Sequence, residues 1–418
     1  MWSLLAEWLQ VGGFGLLLLL LPFSNAVVEI SFGLILIGWL MARLHPATGQ
    51  DTVWRQPTLR PLLWAMAIFW LVCAASITVS PHPELGVRAL FGKWGEYLLL
   101  TILAAEMSRR PRLVEQGLKV LAFSAALVVF EGVTQERFEY GFFRNYRWDH
   151  FHRMTGPYRN PIDLATYLMV IIPILAAWAW LDRHKTRWRN WLLVLALFLC
   201  FLRTQAVGAW LGIIASLGFF AWRNRRFRRL ILAAMGVMAL AGGLYLGYVG
   251  RLGGVVTLTE IGKQDRLAMW QSAIHMIQDR PVLGHGLNTF MANYLHYRIG
   301  GERQPRYAHN CYLQMAAETG LIGLAAFLGM LWLLFHRCLR SLQEASDAAR
   351  WAFLFALLVG LVGFVVQAGG DTNFYSLRQS ALFWTMAGFA LGLGFQPAVS
   401  SSRRPPSVAA KRPPAFTN

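Results

Sequence analysis

Two arginine-rich segments contain the residue types best suited to binding an anionic substrate. Residues 132–161 and 251–309 together carry twelve cationic and seven acidic side chains, so they are net basic. Eleven of the twelve cations are arginines, whose planar guanidinium matches phosphate. The segments are either a solvated face with scattered ion pairs or a binding surface for an anionic, phosphorylated substrate. The cations are Arg137, Arg144, Arg147, Arg153, Arg159, Arg251, Lys263, Arg266, Arg280, Arg298, Arg303 and Arg306.

A helix is predicted within the second segment, over residues 264–277. The acidic Asp265 suits a first helical turn, and Pro281 stops the helix. Arg266 lies near the N-terminal end, where backbone N–H groups favour an anion. We expect an amphipathic helix that lies against the membrane or covers a cavity. The residues that share one face by their spacing are Arg266, Trp270, Ala273, Ile274 and Ile277.

His309 is the strongest candidate for moving a proton. It directly precedes an apolar run that begins at residue 310, beside the basic segment. A neutral imidazole can accept a proton at physiological pH, although a lone histidine is more often structural. The chain has no HExxH or CxxC pattern, so no protein-bound zinc or other cofactor is expected. The weaker candidates are His150, His152, His285 and His296.

The composition shows which elements must hold these residues. Of 418 residues, 56% are hydrophobic and 14% are charged, whereas soluble domains carry about 25% charged residues. The apolar runs are long enough to cross a bilayer as helices, and no short alternating strands of a barrel are visible. The fold class is therefore an all-α polytopic membrane protein with about twelve spans. The runs are 4–22, 26–42, 61–79, 87–105, 113–131, 162–181, 191–203, 206–222, 230–249, 310–336, 351–368 and 377–395.

The net charge of +18 has two possible explanations: nucleic-acid binding or membrane topology. Of the 39 Lys and Arg residues, 22 lie in the connections that are cytoplasmic if the N-terminus is cytoplasmic. This positive-inside bias explains most of the excess and argues against nucleic acid as a partner. Both termini are then cytoplasmic, and 132–161 and 251–309 lie on the outer side of the membrane, which is the periplasm if the protein is in a bacterial inner membrane. The first run is expected to be a retained span, and 396–418 a disordered basic tail behind a transmembrane domain of residues 1–395.

Charged residues also occur within the apolar runs, where they usually face the interior of a bundle or a wet cavity. Arg88 and Arg203 lie at predicted outer ends and could face the same cavity as Arg266. Lys93 and Glu96 are three residues apart, so we expect them to pair.

Residues 309–323 read HNCYLQMAAETGLIG. This stretch resembles the HN-x-x-L-x-x-x-x-E-x-G-x-x-G signature of the O-antigen ligase and polymerase superfamily. RLAMW at 266–270, followed by DRPVLGHG at 279–286, resembles its R-x-x-x-W … RP-x-x-G-x-G stretch, and TGPYRNP at 155–161 its TG-x-x-x-NP element. One departure is Val207, where the family often has an arginine, and Arg203 lies four residues earlier.

The resemblance implies a GT-C-like, metal-independent, inverting glycosyltransferase in the bacterial inner membrane with a periplasmic active site. Ligases of this family transfer a polysaccharide from undecaprenyl diphosphate to lipid A-core, which completes lipopolysaccharide. His309 would be the catalytic base, and Arg266, Arg203, Arg280, Arg88 and Arg159 would bind the diphosphate. The alternatives are a polymerase or protein O-oligosaccharyltransferase of the same superfamily and, in another class, a transporter of lipid-linked glycans.

Overall fold

The protein is almost entirely helical in the residues that the structure, a computed structural model, describes: 2–44, 52–149, 152–185, 187–223, 228–251, 256–299, 304 and 307–395. The helices there are α1 (Trp2–Leu20), α2 (Asn25–Leu44), α3 (Arg60–Ile77), α4 (Pro83–Ala89), α5 (Glu96–Ser108), α6 (Pro111–Phe138), α7 (Pro161–Leu181), α8 (Arg187–Thr204), α9 (Val207–Arg223), α10 (Arg228–Arg251), α11 (Val256–Asp279), α12 (Phe290–Tyr297), α13 (Cys311–Gln343), α14 (Ala348–Gln367) and α15 (Leu377–Leu393). The predicted tail at 396–418 lies outside the described residues.

The apolar runs fall on helices, which fits a polytopic α-helical membrane protein. Within the described part of the chain, seven helical segments are long and apolar enough to cross a membrane. Three other helices are shorter or more polar: α9 and α15 have 17 residues each, and α8 carries three arginines. The count of twelve spans and the GT-C-like arrangement stay predictions. The seven segments are Trp2–Leu20, Asn25–Leu44, Pro57–Ile77, Pro111–Phe138, Pro161–Leu181, Cys311–Gln343 and Ala348–Gln367.

Both segments expected to be loops are partly helical. Helix α6 continues past the predicted end at residue 131 and stops at Phe138, where Glu139 adopts a left-handed conformation (φ 68°). Helix α11 begins at Val256, earlier than the predicted 264, and ends before Pro281 as expected. Asp265 is therefore not in the first turn and Arg266 is not near the N-terminal end, so both expected positions are wrong. Polar helical turns therefore extend beyond the apolar residues. For this reason the sequence pattern placed the end of α6 too early and the start of α11 too late.

The core lies between α5, α7, α14 and α15. Almost every residue of α15 is buried, and α15 packs on α5 while α14 packs on α7 and α9. Small residues permit close approach: a Cβ atom at Gly212 of α9 would lie 2.6 Å from the carbonyl oxygen of Gly363 in α14. Close backbone approach through small residues is typical of helix packing in membranes.

Contacts between helix ends agree with the prediction that successive ends alternate between the two sides of the membrane. At one end, Arg43 at the end of α2 lies 2.7 Å from Glu106 of α5. At the other end, Arg378 at the start of α15 donates to the carbonyl oxygen of Pro22, between α1 and α2, at 2.6 Å. The structure contains no membrane, so the side on which each end lies stays a prediction.

Helix α13 is broken at Gly320 (φ 70°, ψ 179°). The segment 281–286, which we call the Gly-His-Gly turn, fills the break with backbone hydrogen bonds. His285 N donates to Ala317 O at 3.0 Å, and Gly286 N donates to Glu318 O at 2.8 Å. In return, Leu321 N donates to the carbonyl oxygen of Pro281 at 2.8 Å. The carbonyls that the break releases from the helix are thereby paired.

The Glu318 carboxylate, buried at the break, holds the start of α12. It accepts the backbone N–H groups of Asn288 at 2.7 Å and Phe290 at 3.2 Å. Lys93 donates to the Asn288 side chain at 3.1 Å, so the expected pairing of Lys93 with Glu96 is wrong. The physical reason is a π-helical turn at Leu90–Gly95, which changes the spacing of side chains along the helix.

Topology can be tested by cysteine labelling, because all four native cysteines are buried and serve as an unreactive background. Gln271 of α11 and Ser346, between α13 and α14, are both exposed. In cells with a permeable outer membrane, a membrane-impermeant thiol reagent should label Gln271→Cys but not Ser346→Cys. Ser346→Cys should react only after lysis. Labelling of Ser346→Cys alone in intact cells would invert the topology.

The break in α13 should make Gly320 irreplaceable. A Cβ atom there would meet the backbone of Val282, and φ lies in the left-handed region. We expect Gly320→Ala to cost at least about 1–2 kcal/mol, seen as a lower melting temperature of the purified protein in detergent. The matched control is Gly329→Ala on the same helix, whose Cβ would have nothing within 4 Å. Equal melting temperatures for the two variants would show that the break is not required.

Candidate active site

His309 lies immediately before α13, with a left-handed backbone (φ 47°). The next residue, Asn310, caps the helix: its side-chain oxygen accepts the backbone N–H groups of Tyr312 at 3.0 Å and Leu313 at 3.1 Å. The His309 side chain is 31% exposed and therefore accessible to a substrate. The sequence correctly placed this histidine at a junction between loop and helix.

Asp371 is the partner of His309, and sequence reasoning missed it. Its Oδ1 lies 3.4 Å from Nδ1 of His309, although the two residues are 62 positions apart. The separation is long for a hydrogen bond, but catalytic hydrogen bonds are often long without substrate. A proton on Nδ1 directed at Asp371 leaves Nε2 unprotonated, and Nε2 can then accept a proton. The arrangement is that of a base oriented by a carboxylate.

Backbone contacts fix Asp371 in place. Its carbonyl oxygen accepts the backbone N–H of Cys311 at 3.1 Å, and the Cys311 thiol donates to the same oxygen at 3.2 Å. The Asp371 side chain is 10% exposed. The available sequence signal was the polar stretch Gly369 to Asn373 between two apolar runs, although a polar turn between spans is by itself ordinary.

Arg378 joins the TGPYRNP segment to the same end of the bundle. One guanidinium nitrogen donates to the carbonyl oxygens of Pro22 at 2.6 Å and Pro157 at 3.2 Å. The guanidinium also lies 4.2 Å from the centre of the Tyr158 ring. Asp163, in the first turn of α7, interacts electrostatically with Asp371 and with Arg378. Asp163 therefore links Asp371, the neighbour of His309, with Arg378 electrostatically.

Arg266 lies on the side of α11 that faces α13. Among the side chains of α11 that the structure describes, Met269, Ser272, Ala273 and Met276 are buried, and Arg266 lies one turn before Met269. Met269 packs in a cluster that includes Ala308, the neighbour of His309. Arg266 thus lies on the side of α11 that packs in this cluster.

The predicted apolar face of α11 is wrong in part. Ile274 is 41% exposed, whereas Met269 and Met276, which the predicted face left out, are buried. The helix has apolar residues on more than one side, so periodicity could not identify the side that contacts α13. Trp270 and Ile277 are half-buried at the edges of that contact.

The other predicted diphosphate ligands have different surroundings. Arg203 forms an ion pair with Glu136 at 2.8 Å and lies 5.0 Å from the Trp148 ring centre. Arg280 donates to the carbonyl oxygen of Val79 at 3.0 Å, an arrangement that ties the end of α11 to the end of α3. The described contacts do not bring either arginine to His309. Their role in binding diphosphate stays a prediction.

Arg88 and Arg159 are both exposed. Arg88 lies on α4, and Arg159 stacks on Tyr146 with 5.6 Å between its guanidinium carbon and the ring centre. Among the other histidines, His285 is buried with Nε2 3.1 Å from the carbonyl oxygen of Met276, and burial lowers its pKa. This contact holds the Gly-His-Gly turn against the end of α11.

Comparison with known proteins gives one family match over part of the chain. No curated protein sequence matches the chain. A family model described as O-antigen ligase matches residues 191–328, which include Arg203, Arg266, Arg280 and His309. Asp371 and Arg378 lie outside the matched range. The matched range includes the break in α13 and the turn that fills it, and over this range the resemblance found in the sequence to the O-antigen ligase superfamily is confirmed.

Proposed function

We propose that this protein is an O-antigen ligase that transfers a polysaccharide from undecaprenyl diphosphate to lipid A-core at the periplasmic face of the inner membrane. Its superfamily consists of glycosyltransferase-like enzymes of lipopolysaccharide biosynthesis. The observation that carries the proposal is the approach of Asp371 to Nδ1 of His309 at 3.4 Å, next to the family's most specific motif. This pair supplies the base that a sugar hydroxyl requires as a nucleophile.

The reaction is a single displacement at the anomeric carbon of the donor. Nε2 of His309 takes the proton from an acceptor hydroxyl while that oxygen forms a bond to the anomeric carbon. The bond from this carbon to the diphosphate oxygen breaks, and undecaprenyl diphosphate leaves with the electron pair. Attack from the side opposite the leaving group inverts the anomeric configuration. Asp371 stabilises the imidazolium that forms.

Arginine is expected to offset the charge of the leaving diphosphate. Arg266 is the best placed candidate, because it lies one turn from Met269, which packs in the same cluster as Ala308, the neighbour of His309. Arg203 already binds the carboxylate of Glu136, and this pair would have to open for Arg203 to bind phosphate. In the described residues no three His, Cys, Asp or Glu side chains lie together as metal ligands. The assay below therefore includes excess EDTA as a direct test of a metal-independent reaction.

The first functional test uses purified protein, a lipid-diphosphate-linked glycan and lipid A-core. We expect His309→Gln to lower kcat by about 10²–10⁴-fold, because it removes the base. Asp371→Asn should lower kcat by at least about tenfold, because it disturbs the tautomer and orientation of the imidazole. The matched control is His336→Gln on the far part of α13, where His336 stacks on Trp332.

Three outcomes of this assay would count against the proposal. Transfer by His309→Gln at the wild-type rate would remove the base from the mechanism. Loss of wild-type transfer in EDTA would show that a metal is required. Extension of the glycan on its lipid carrier, without transfer to lipid A-core, would identify a polymerase instead of a ligase.

A second test concerns the geometry of phosphate recognition by Arg266. Arg266→Lys keeps the charge but loses the bidentate fork, so we expect kcat/KM for the donor to fall on the order of 10²-fold. The control is Arg183→Lys, an exposed arginine after α7 at the opposite end of the bundle. A near-normal donor kcat/KM for Arg266→Lys would mean that Arg266 only stabilises its own helix.

A further inference from the structure

The end of α6 builds a small hairpin over residues 139–149, which we call the α6 hairpin. Two fully buried side chains hold it. The Glu131 carboxylate accepts the backbone N–H groups of Phe143 at 2.8 Å and Arg144 at 3.0 Å. The Gln135 side chain donates to the carbonyl oxygen of Tyr146 at 2.9 Å. Buried and satisfied polar groups of this kind fix a single conformation.

The outer face of the α6 hairpin is apolar and aromatic. The Phe142 ring is 68% exposed and contacts the partly exposed rings of Phe130 at 5.6 Å and Phe143 at 5.1 Å between centres. A contiguous exposed aromatic surface on a rigid base needs an apolar neighbour. At the end of a membrane-spanning helix, that neighbour is the interfacial layer of the bilayer.

Arginines surround these rings. Arg137, Arg144 and Arg147 are exposed on or beside the α6 hairpin. The exposed acids there are Glu139 and Glu136, and Glu136 pairs with Arg203. The surface is therefore net cationic around an apolar centre. This combination matches a lipid whose acyl chains lie in the bilayer and whose headgroup carries phosphates at the interface.

A chain of contacts connects the α6 hairpin to the candidate active site. Tyr146 of the hairpin stacks with Arg159 of the TGPYRNP segment, and the neighbouring Tyr158 stacks with Arg378. The α6 hairpin also touches the turn between α1 and α2, because Phe143 packs on Phe23 with 5.6 Å between ring centres. It therefore lies at the end of the bundle that contains His309.

We propose that the α6 hairpin is the docking surface for the acceptor, a phosphorylated glycolipid in the outer leaflet of the inner membrane. This inference rests on the proposed function, because that function requires a lipid-anchored acceptor. Phe142 and Phe143 enter the interfacial layer beside the acyl chains. Arg144 and Arg147 bind the phosphates of the acceptor. The sugar part of the glycolipid then extends across the TGPYRNP segment towards His309.

The test uses the full-length protein in nanodiscs of zwitterionic phospholipid. The variants are the double substitution Arg144→Gln/Arg147→Gln and, separately, Phe142→Ser. The control is Arg183→Gln/Arg189→Gln, an exposed pair at the other end of the bundle. Kinetic assays use bis-phosphorylated lipid A-core and the same glycolipid after removal of its lipid A phosphates. Native mass spectrometry measures retention of bis-phosphorylated lipid A, with phosphatidylglycerol as the competing anionic lipid.

We expect the double arginine variant to raise the KM for the phosphorylated acceptor on the order of tenfold. Its kcat and its KM for the donor should stay at the control values. Removal of the phosphates should raise the acceptor KM of the wild type but not that of the double variant. Phe142→Ser should raise the acceptor KM for both acceptors, because it weakens contact with the membrane interface.

An unchanged acceptor KM in the double variant would overturn the proposal. So would an increase in the donor KM alone, or displacement of lipid A by an equal concentration of phosphatidylglycerol. Failure of the proposed function has a different signature. In that case the wild type transfers no glycan to lipid A-core, while retention of lipid A by mass spectrometry still depends on Arg144 and Arg147.

Discussion

Backbone hydrogen bonds between the Gly-His-Gly turn and the break in α13 are the constraint on which the candidate site depends. Opening a helix among apolar residues exposes carbonyl groups, and each one left unpaired costs several kcal/mol. Here His285 and Gly286 donate to the carbonyls of Ala317 and Glu318. The turn can approach this closely only because it is built with glycine: a Cβ at Gly284 would lie 2.5 Å from the backbone of Glu318. The break in α13 and the Gly-His-Gly turn are therefore stable only together. This gives a physical reason for the glycines in the DRPVLGHG motif at 279–286 and in the motif at 309–323.

The break turns the first part of α13 into a short helix that is fixed at both ends. At its start, Cys311 N donates to the carbonyl oxygens of Ala368 and Asp371, and Asn310 caps the next two amides. At its other end, the Glu318 carboxylate binds the start of α12. His309 is attached to this helix through one residue. The position of the histidine is therefore set by the loop between α14 and α15 as well as by the segment that follows α11.

Local sequence patterns predicted the helices and the position of His309, because run length and a polar-to-apolar junction are local properties. They could not predict Asp371, because its approach to His309 depends on how the loop after α14 packs against the start of α13. The same limit applies to Arg203, whose partner Glu136 lies on another helix. The π-helical turn at Leu90–Gly95 has no hydrophobic signature, and it separates Lys93 from its expected partner. Each error thus arose from packing between distant segments or from an irregular turn.

The distribution of charge around His309 bears on where the two substrates bind. Asp371 faces the imidazole, and Asp163 interacts with Asp371 and Arg378. A diphosphate placed among these carboxylates would be repelled, since like charges at short range are costly where water is scarce. A sugar hydroxyl is neutral, so these carboxylates do not repel it, and His309 can accept its proton. Arg266 belongs to a different helix, α11, whose buried side packs in a cluster with Ala308, the neighbour of His309. This separation supports an arrangement in which the acceptor approaches past Arg378 while the donor diphosphate lies towards α11, so that attack and departure occur on opposite sides of the anomeric carbon.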